Sequence, residues 1–350
     1  MVVARRSFFN GLVILVVLLI VLLAVERQIA GFVVSEARAR FSTPGGTTPT
    51  DILASATNAN GTTALLAVGD IANCKVRPGL TDSLPNTAHL LGLPSPYDTT
   101  GALAHQTATL ASDWPELPIL ALGDLVYSKG SPFEFAWCFE PTWGALKPRI
   151  LPTPGNHEYK TPGAFGYFDY FGSQAGPNRQ GWYAASVPGW LILSLNSEVD
   201  AQAGSEQAAW LDEQFEGAGS ECVLAFYHKP AYSLVERGGR ENAINLFRQL
   251  QKNGATLVLN GHNHFYERTA PLDGTGALAK NMGTVAFTVG TGGKTKSAKP
   301  SIKETKAAVF GRTGILRIDL GSDEYSWTYI DAITRDVLDE GTAPCNSMRG

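Results

Sequence analysis

Four of the chain's six histidines stand in short clusters with Asp, Asn and Tyr. Asp70 sits in Gly-Asp-Ile-Ala, and Asp124 and Tyr127 in Gly-Asp-Leu-Val-Tyr. Asn156 and His157 sit in Gly-Asn-His-Glu, His228 in Phe-Tyr-His-Lys-Pro, and His262 and His264 in Gly-His-Asn-His. Carboxylate, amide, phenol and imidazole side chains are metal ligands, and thiolates are absent from the set. Oxygen plus imidazole donors suit Fe, Zn or Mn.

Such a set fits the hydrolysis of phosphate esters, which are anionic and resist attack by hydroxide. Two cations about 3.5–4 Å apart neutralise the phosphate, acidify a bound water and hold an in-line geometry. Ions that close need an anionic bridge, which a carboxylate supplies. Taken singly, each residue has a plain reading. Asp70 or Asp124 is a helix N-cap, Asn156 a turn residue, His228 a satisfied core histidine. Together those readings require five coincidences in one order. The two histidines outside the set, His89 and His105, read as structural.

The clusters follow short apolar runs: Ala64-Leu-Leu-Ala-Val-Gly-Asp70, Leu117-Pro-Ile-Leu-Ala-Leu-Gly-Asp124, Ile150-Leu-Pro-Thr-Pro-Gly-Asn156, Cys222-Val-Leu-Ala-Phe-Tyr-His228 and Thr256-Leu-Val-Leu-Asn-Gly-His262. Leu191-Ile-Leu-Ser-Leu-Asn196 is a sixth such run. They read as strands buried on both faces. Helix-like stretches lie between several of them, at Gly101–Asp113, Glu206–Glu216 and Arg240–Asn253, while Gly283–Val289, Thr313–Leu320 and Glu324–Ile330 look purely β. The alternation predicts an α/β domain over 62–345. In open α/β sheets ligands bind beyond the carboxyl ends of the strands, so five strands would deliver ligands to one edge. The glycines let the backbone turn sharply there.

Composition agrees with a globular domain of this length: 350 residues, 44% hydrophobic and 17% charged. The net charge of −4, with no Lys/Arg run, gives no reason to expect nucleic acid as a partner. Residues 1–25 differ from the rest. Arg5 and Arg6 precede an almost wholly apolar stretch. Its length lies between the roughly 20 residues of a bilayer span and the about 7–15 of a signal's apolar core. A membrane anchor is expected over a cleaved signal, because no good cleavage site follows. Residues 26–61, rich in Pro, Gly and Thr, read as a flexible tether, and Asn60-Gly61-Thr62 is a glycosylation sequon. Cys74, Cys138, Cys222 and Cys345 form no C-x-x-C. Behind an export segment they imply two disulfides and an extracytoplasmic location, membrane-anchored or secreted. Three connectivities are possible; the expected one is Cys74–Cys138 and Cys222–Cys345. The first pair follows strands that end at the site, and the second ties the tail to a strand start.

From about Leu65 to Ile330 the ordered motifs resemble the calcineurin-like metallophosphoesterase superfamily. Tyr127, three residues after Asp124, is similar to the tyrosine of the purple acid phosphatases. Cys138-Phe-Glu-Pro-Thr-Trp-Gly, Gly166-Tyr-Phe-Asp-Tyr-Phe-Gly, Gln207-Ala-Ala-Trp-Leu, Gly261-His-Asn-His-Phe-Tyr-Glu-Arg and Val289-Gly-Thr-Gly-Gly also look like that family. The resemblance implies a four-layer α/β/β/α sandwich. It implies Fe(III) held by Asp70, Asp124, Tyr127 and His264, and Fe(II), Zn or Mn held by Asp124, Asn156, His228 and His262, with Asp124 bridging. A metal-bound hydroxide would attack phosphorus, and His157 would contact the phosphate and help protonate the leaving oxygen. The implied activity is acid phosphatase-like hydrolysis of phosphomonoesters. The alternatives are phosphodiester or nucleotide hydrolysis on the same site, or a non-catalytic, membrane-anchored phosphate-binding protein.

Three departures from the family pattern stand out. Ala72 replaces a second glycine in the first motif, and Tyr227 precedes His228 where relatives often carry another histidine. The loop Ser233-Leu-Val-Glu-Arg-Gly-Gly-Arg240 lacks the active-site histidine that many relatives place there. Arg237 or Arg240 could bind phosphate in its stead, as a guanidinium fork does.

Overall fold

A computed structural model of the chain describes residues 47–54, 56–76, 97–99, 102–217, 219, 221–235, 240–296 and 304–346. The apolar segment 1–25, residues 26–46 of the expected tether, His89 and Arg237 lie outside the described residues. Among the described residues no helix is long and apolar enough to cross a membrane.

The strands are β1 (Thr63–Val68), β2 (Lys75–Val76), β3 (Tyr97–Asp98), β4 (Ile119–Leu122), β5 (Ile150–Thr153), β6 (Tyr183–Val187), β7 (Trp190–Ser194) and β8 (Cys222–Phe226), followed by β9 (Leu257–Asn260), β10 (Tyr266–Thr269), β11 (Val285–Val289), β12 (Thr305–Val309), β13 (Gly314–Leu320), β14 (Glu324–Asp331) and β15 (Val337–Pro344). The longer helices are α1 (Pro49–Ala54), α2 (Leu103–Ser112), α3 (Phe165–Phe171), α4 (Glu206–Gly217) and α5 (Glu241–Lys252). Two large sheets form, in the orders β15-β14-β13-β1-β4-β5 and β12-β10-β11-β9-β8-β7-β6. β1, β4 and β5 run parallel, as do β7, β8, β9 and β11.

Period-two alternation of apolar residues, with both faces covered, makes this a four-layer structure. Leu65 and Ala67 of β1, Leu120 and Leu122 of β4, Leu224 and Phe226 of β8 and Leu257 and Leu259 of β9 fill the space between the sheets. Their neighbours point outward. Leu66, Val68, Ile119 and Ala121 meet α2, α3 and the aromatic residues Phe135, Phe139 and Trp143. Val223, Ala225 and Val258 meet α4 and α5 through Leu211, Phe215, Leu246 and Phe247. The α/β/β/α sandwich expected from the resemblance is the observed one. Burying each such side chain contributes about 1.5–3 kcal/mol before chain entropy is set against it.

The end of the expected tether is packed rather than free. Thr48 and Asp51 cap α1 reciprocally: Thr48 N donates to Asp51 Oδ2 at 2.9 Å, and Asp51 N to Thr48 Oγ1 at 3.3 Å. Ile52 and Leu53 then bury between the sheets. The disulfides are Cys74–Cys138 and Cys222–Cys345, the expected pairing. The second joins the start of β8 in one sheet to the residue after β15 in the other.

Candidate metal centre

The site lies where the carboxyl ends of both sheets meet. The strand-end pattern predicts the candidate ligands on one sheet edge. Instead β1, β4 and β5 belong to one sheet and β8 and β9 to the other. The two are stitched at this end: Gly69 N donates to Val289 O at 2.8 Å, and Gly292 N to Gly69 O at 2.9 Å. Pairing also continues past the ends of β1 and β4, where Asp70 N donates to Gly123 O and Ile71 N to Asp124 O, each at 3.0 Å. That fixes the two aspartates side by side.

Asp70, Asp124 and His262 have left-handed backbones, with φ of 58°, 49° and 67°. Non-glycine residues adopt this region at a cost that the surrounding structure must offset, and such strain clusters at functional sites. Here it turns each side chain back toward the others. Glycine at 155 permits the approach, since a Cβ there would lie 2.8 Å from His228 Cγ.

Six of the seven predicted ligands share close contacts. The Tyr127 hydroxyl lies 2.5 Å from Asp70 Oδ1, 3.2 Å from Asp124 Oδ2 and 3.4 Å from His264 Nε2. His264 Nε2 is 3.2 Å from Asp70 Oδ1. On the other side of Asp124, His228 Nε2 lies 3.3 Å from Asp124 Oδ2 and 3.2 Å from His262 Nδ1. Asp124, His228 and His262 each offer a donor atom, all within 4.8 Å of one another. His228 Nδ1 donates to the carbonyl of Leu122 at 2.9 Å, which leaves Nε2, the nitrogen facing Asp124, as the candidate ligand atom. Asn156, the seventh, has a buried Oδ1 with no hydrogen-bond partner. A buried acceptor left unpaired costs about 1–3 kcal/mol. A cation is the partner such an oxygen fits, and the donor set as a whole fits metal ions.

Electrostatics point the same way. Burial opposes the charge on Asp124, yet the adjacent His228 holds its pKa below the usual carboxylate range. Burial and the Asp124 and Asp70 carboxylates push the Tyr127 phenol well above its ordinary value, so it donates to Asp70. These groups together attract positive charge.

His157 borders the cluster without joining it. Its Nδ1 donates to Ser128 O at 2.6 Å, and its Nε2 is 3.8 Å from Asp124 Oδ2. Burial lowers its pKa against the opposing pull of Asp124. Arg240 is the N-cap residue just before α5, and its guanidinium donates to Ala231 O at 2.7 Å. His105 is exposed on α2. Tyr227 turns away from the site into the outer core, its hydroxyl 3.4 Å from Ala243 O.

Three further residues border the site without a role assigned from the motifs. Glu158 is fully buried and accepts from Gly155 N at 2.8 Å, Asp124 N and Leu125 N at 2.9 Å and Val126 N at 3.3 Å. Burial and the Asp124 carboxylate push its pKa up to about 8, while those N–H groups favour the ionised form. It clamps the turns that carry Asp124 and Asn156. Lys160 and Lys294 approach the rings of His157 and Tyr127. Glu158 stands inside the quoted Gly-Asn-His-Glu motif, Lys160 two residues beyond it, and Lys294 after Val289-Gly-Thr-Gly-Gly. Nothing in their local sequence distinguishes them from solvated charges.

Comparison with known proteins agrees with this fold. An uncharacterized protein of Mycobacterium tuberculosis (strain H37Rv) is 28% identical over 190 residues, covering 42% of this chain and 35% of the relative. Purple acid phosphatase 18 of Arabidopsis thaliana is 26% identical over 200 residues, covering 51% of this chain and 45% of its own length. The chain thus spans less than half the length of these relatives. Among solved structures, the purple acid phosphatase PPD1 from yellow lupin (Lupinus luteus) seeds is similar in fold, with a TM-score of 0.64 and 17% identity over 82% of this chain and 54% of that one. Residues 64–266, more than half of the chain, match the family profile of the calcineurin-like phosphoesterases, and the chain belongs to that family.

Proposed function

We propose that the chain hydrolyses phosphate monoesters with two metal ions, outside the cytoplasm. The observation that carries this reading is the convergence of two ligand groups that share Asp124. Asp70, Asp124, Tyr127 and His264 would hold one ion, Fe(III) by resemblance. Asp124, Asn156, His228 and His262 would hold the other, Fe(II), Zn or Mn. Such a pair, when bound, neutralises the phosphate and supplies a nucleophile at neutral pH.

The chain's own residues do the rest. Glu158 fixes the Asp124 turn through backbone N–H groups. His157 donates from Nδ1 to Ser128 O, its Nε2 lies 3.2 Å from Lys160 Nζ and 3.8 Å from Asp124 Oδ2, and it is the residue assigned to protonate the leaving oxygen. His157 and Arg240 are the candidate phosphate contacts; Arg240 spends one of its five guanidinium N–H donors on Ala231 O, at 2.7 Å. Two disulfides support an oxidising compartment.

Steady-state turnover of p-nitrophenyl phosphate against bis-p-nitrophenyl phosphate, with elemental analysis of the same preparation, tests the reading. The expected result is about two metals per chain and a monoester preference. A diester preference would sink the substrate class, and absence of tightly bound metal would favour the non-catalytic alternative.

A further inference from the structure

Two lysines bracket one corner of the candidate centre from different elements. Lys294 follows the glycine-rich segment after β11, and its Nζ lies 3.6 Å from the centroid of the Tyr127 ring. That segment is anchored: Gly292 N donates to Gly69 O at 2.9 Å, and Thr291 Oγ1 to Gly314 O at 2.8 Å. Lys160 lies three residues past His157, and its Nζ is 3.1 and 3.2 Å from the two ring nitrogens of His157. The Tyr127 and His157 rings meet edge to face, 4.4 Å between centroids. Two ammonium groups thus flank the aromatic pair that borders Asp70 and Asp124.

Charge makes this arrangement informative. Two ammonium groups beside this corner favour an anionic ligand resting among them, and a dianion is attracted more strongly than a monoanion. Lysine suits the task as a compact point charge that binds phosphate oxygens. The loop 233–240 carries no histidine.

We propose that Lys160 and Lys294 form a cationic rim that binds the non-bridging oxygens of a phosphate dianion and sets the preference for monoesters over diesters. The inference rests on the phosphomonoesterase reading above. It adds two specificity-determining residues to that reading.

The test uses the full chain with its metals, as wild type and as Lys160→Met, Lys294→Met and Lys294→Arg. Four quantities are measured: kcat/KM for p-nitrophenyl phosphate and for bis-p-nitrophenyl phosphate, the Kd of inorganic phosphate by calorimetry, and metal content. Each methionine variant is expected to lose about tenfold or more in monoester kcat/KM and in phosphate affinity, the scale of one charge-assisted hydrogen bond. Diester kcat/KM should change by less than about threefold, the monoanion having less charge to lose. Lys294→Arg should recover part of the loss. Equal losses on both substrates, or unchanged phosphate affinity with metal retained, overturn the assignment. The two readings fail separately. A wild type that prefers diesters or turns over neither substrate defeats the phosphomonoesterase reading. Defeat of the lysine rim alone shows only in the variants, beside a wild type that prefers monoesters.

Discussion

The phenol of Tyr127 donates to Asp70 Oδ1 at 2.5 Å, joining residues 57 positions apart. That contact brings the loops after β1 and β4 into one site. Replacing Tyr127 by Phe removes the hydroxyl and keeps the ring that packs against His157. In iron-loaded protein the variant should lose the visible absorption band while its circular dichroism stays that of the wild type. A band that persists in Tyr127→Phe would remove the tyrosine from the ligand set.

Asp124 contacts both halves of the cluster, through Tyr127 on one side and His228 on the other. Asp124→Asn keeps the shape and removes the charge; His262→Ala removes one imidazole. Metal ions contribute several kcal/mol of transition-state stabilisation, and each 1.36 kcal/mol is about tenfold in rate. Turnover should fall by about a thousandfold in each variant, with less metal retained per chain. Near wild-type rates in both would overturn the metal assignment.

Glu158 accepts from four backbone N–H groups in a fully buried position. Glu158→Ala leaves those donors unpaired, each at about 1–3 kcal/mol before relaxation. Urea unfolding should show a loss of about 3 kcal/mol or more, and Glu158→Gln, which keeps an acceptor oxygen, should lose less. An Ala variant as stable as the wild type would mean that the turns hold without the clamp.

Glu267 is buried under the loop that starts at Ser233. It accepts from Ser233 Oγ at 2.6 Å, Thr305 Oγ1 at 2.7 Å and Leu234 N at 3.0 Å. Burial raises its pKa above the ordinary 4.5, against the pull of those donors. The folded chain therefore holds this proton to higher pH than the unfolded chain does. Its contribution to stability is full below about pH 4.5 and is lost as pH rises through the raised folded value. Relative to Glu267→Gln, which cannot titrate, the wild type should lose stability over that window. Unfolding curves for both proteins at several pH values check this. A flat difference, or one that rises with pH, contradicts it.

Much of this molecule is legible residue by residue. Six apolar runs became β1, β4, β5, β7, β8 and β9, and the three helix-like stretches became α2, α4 and α5. Continuous apolar runs, Gly and Asn at the strand ends and ligand-type side chains just beyond are local properties, written in neighbouring residues. The motifs also carry the identity of the seven candidate ligands. α1 was readable in principle from Thr48, Pro49 and Asp51, a capping box with proline at the first helical position, but its Pro/Gly/Thr-rich surroundings masked it.

Other features were decided only when the chain packed. The candidate ligands meet at the junction of two sheets, where Gly69 bonds Val289 across it. Tyr227 and His228 are neighbours in sequence, yet one enters the outer core and the other the site. His262 N reaches Asp70 Oδ2, at 2.6 Å, across 192 residues. Lys160 and Lys294 converge on two adjacent rings from unrelated segments. Sequence determined which groups stand at each strand end, since that depends on a few adjacent residues. Which of them touch depends on how two twisted sheets close on a shared core, and only the tertiary structure settles that.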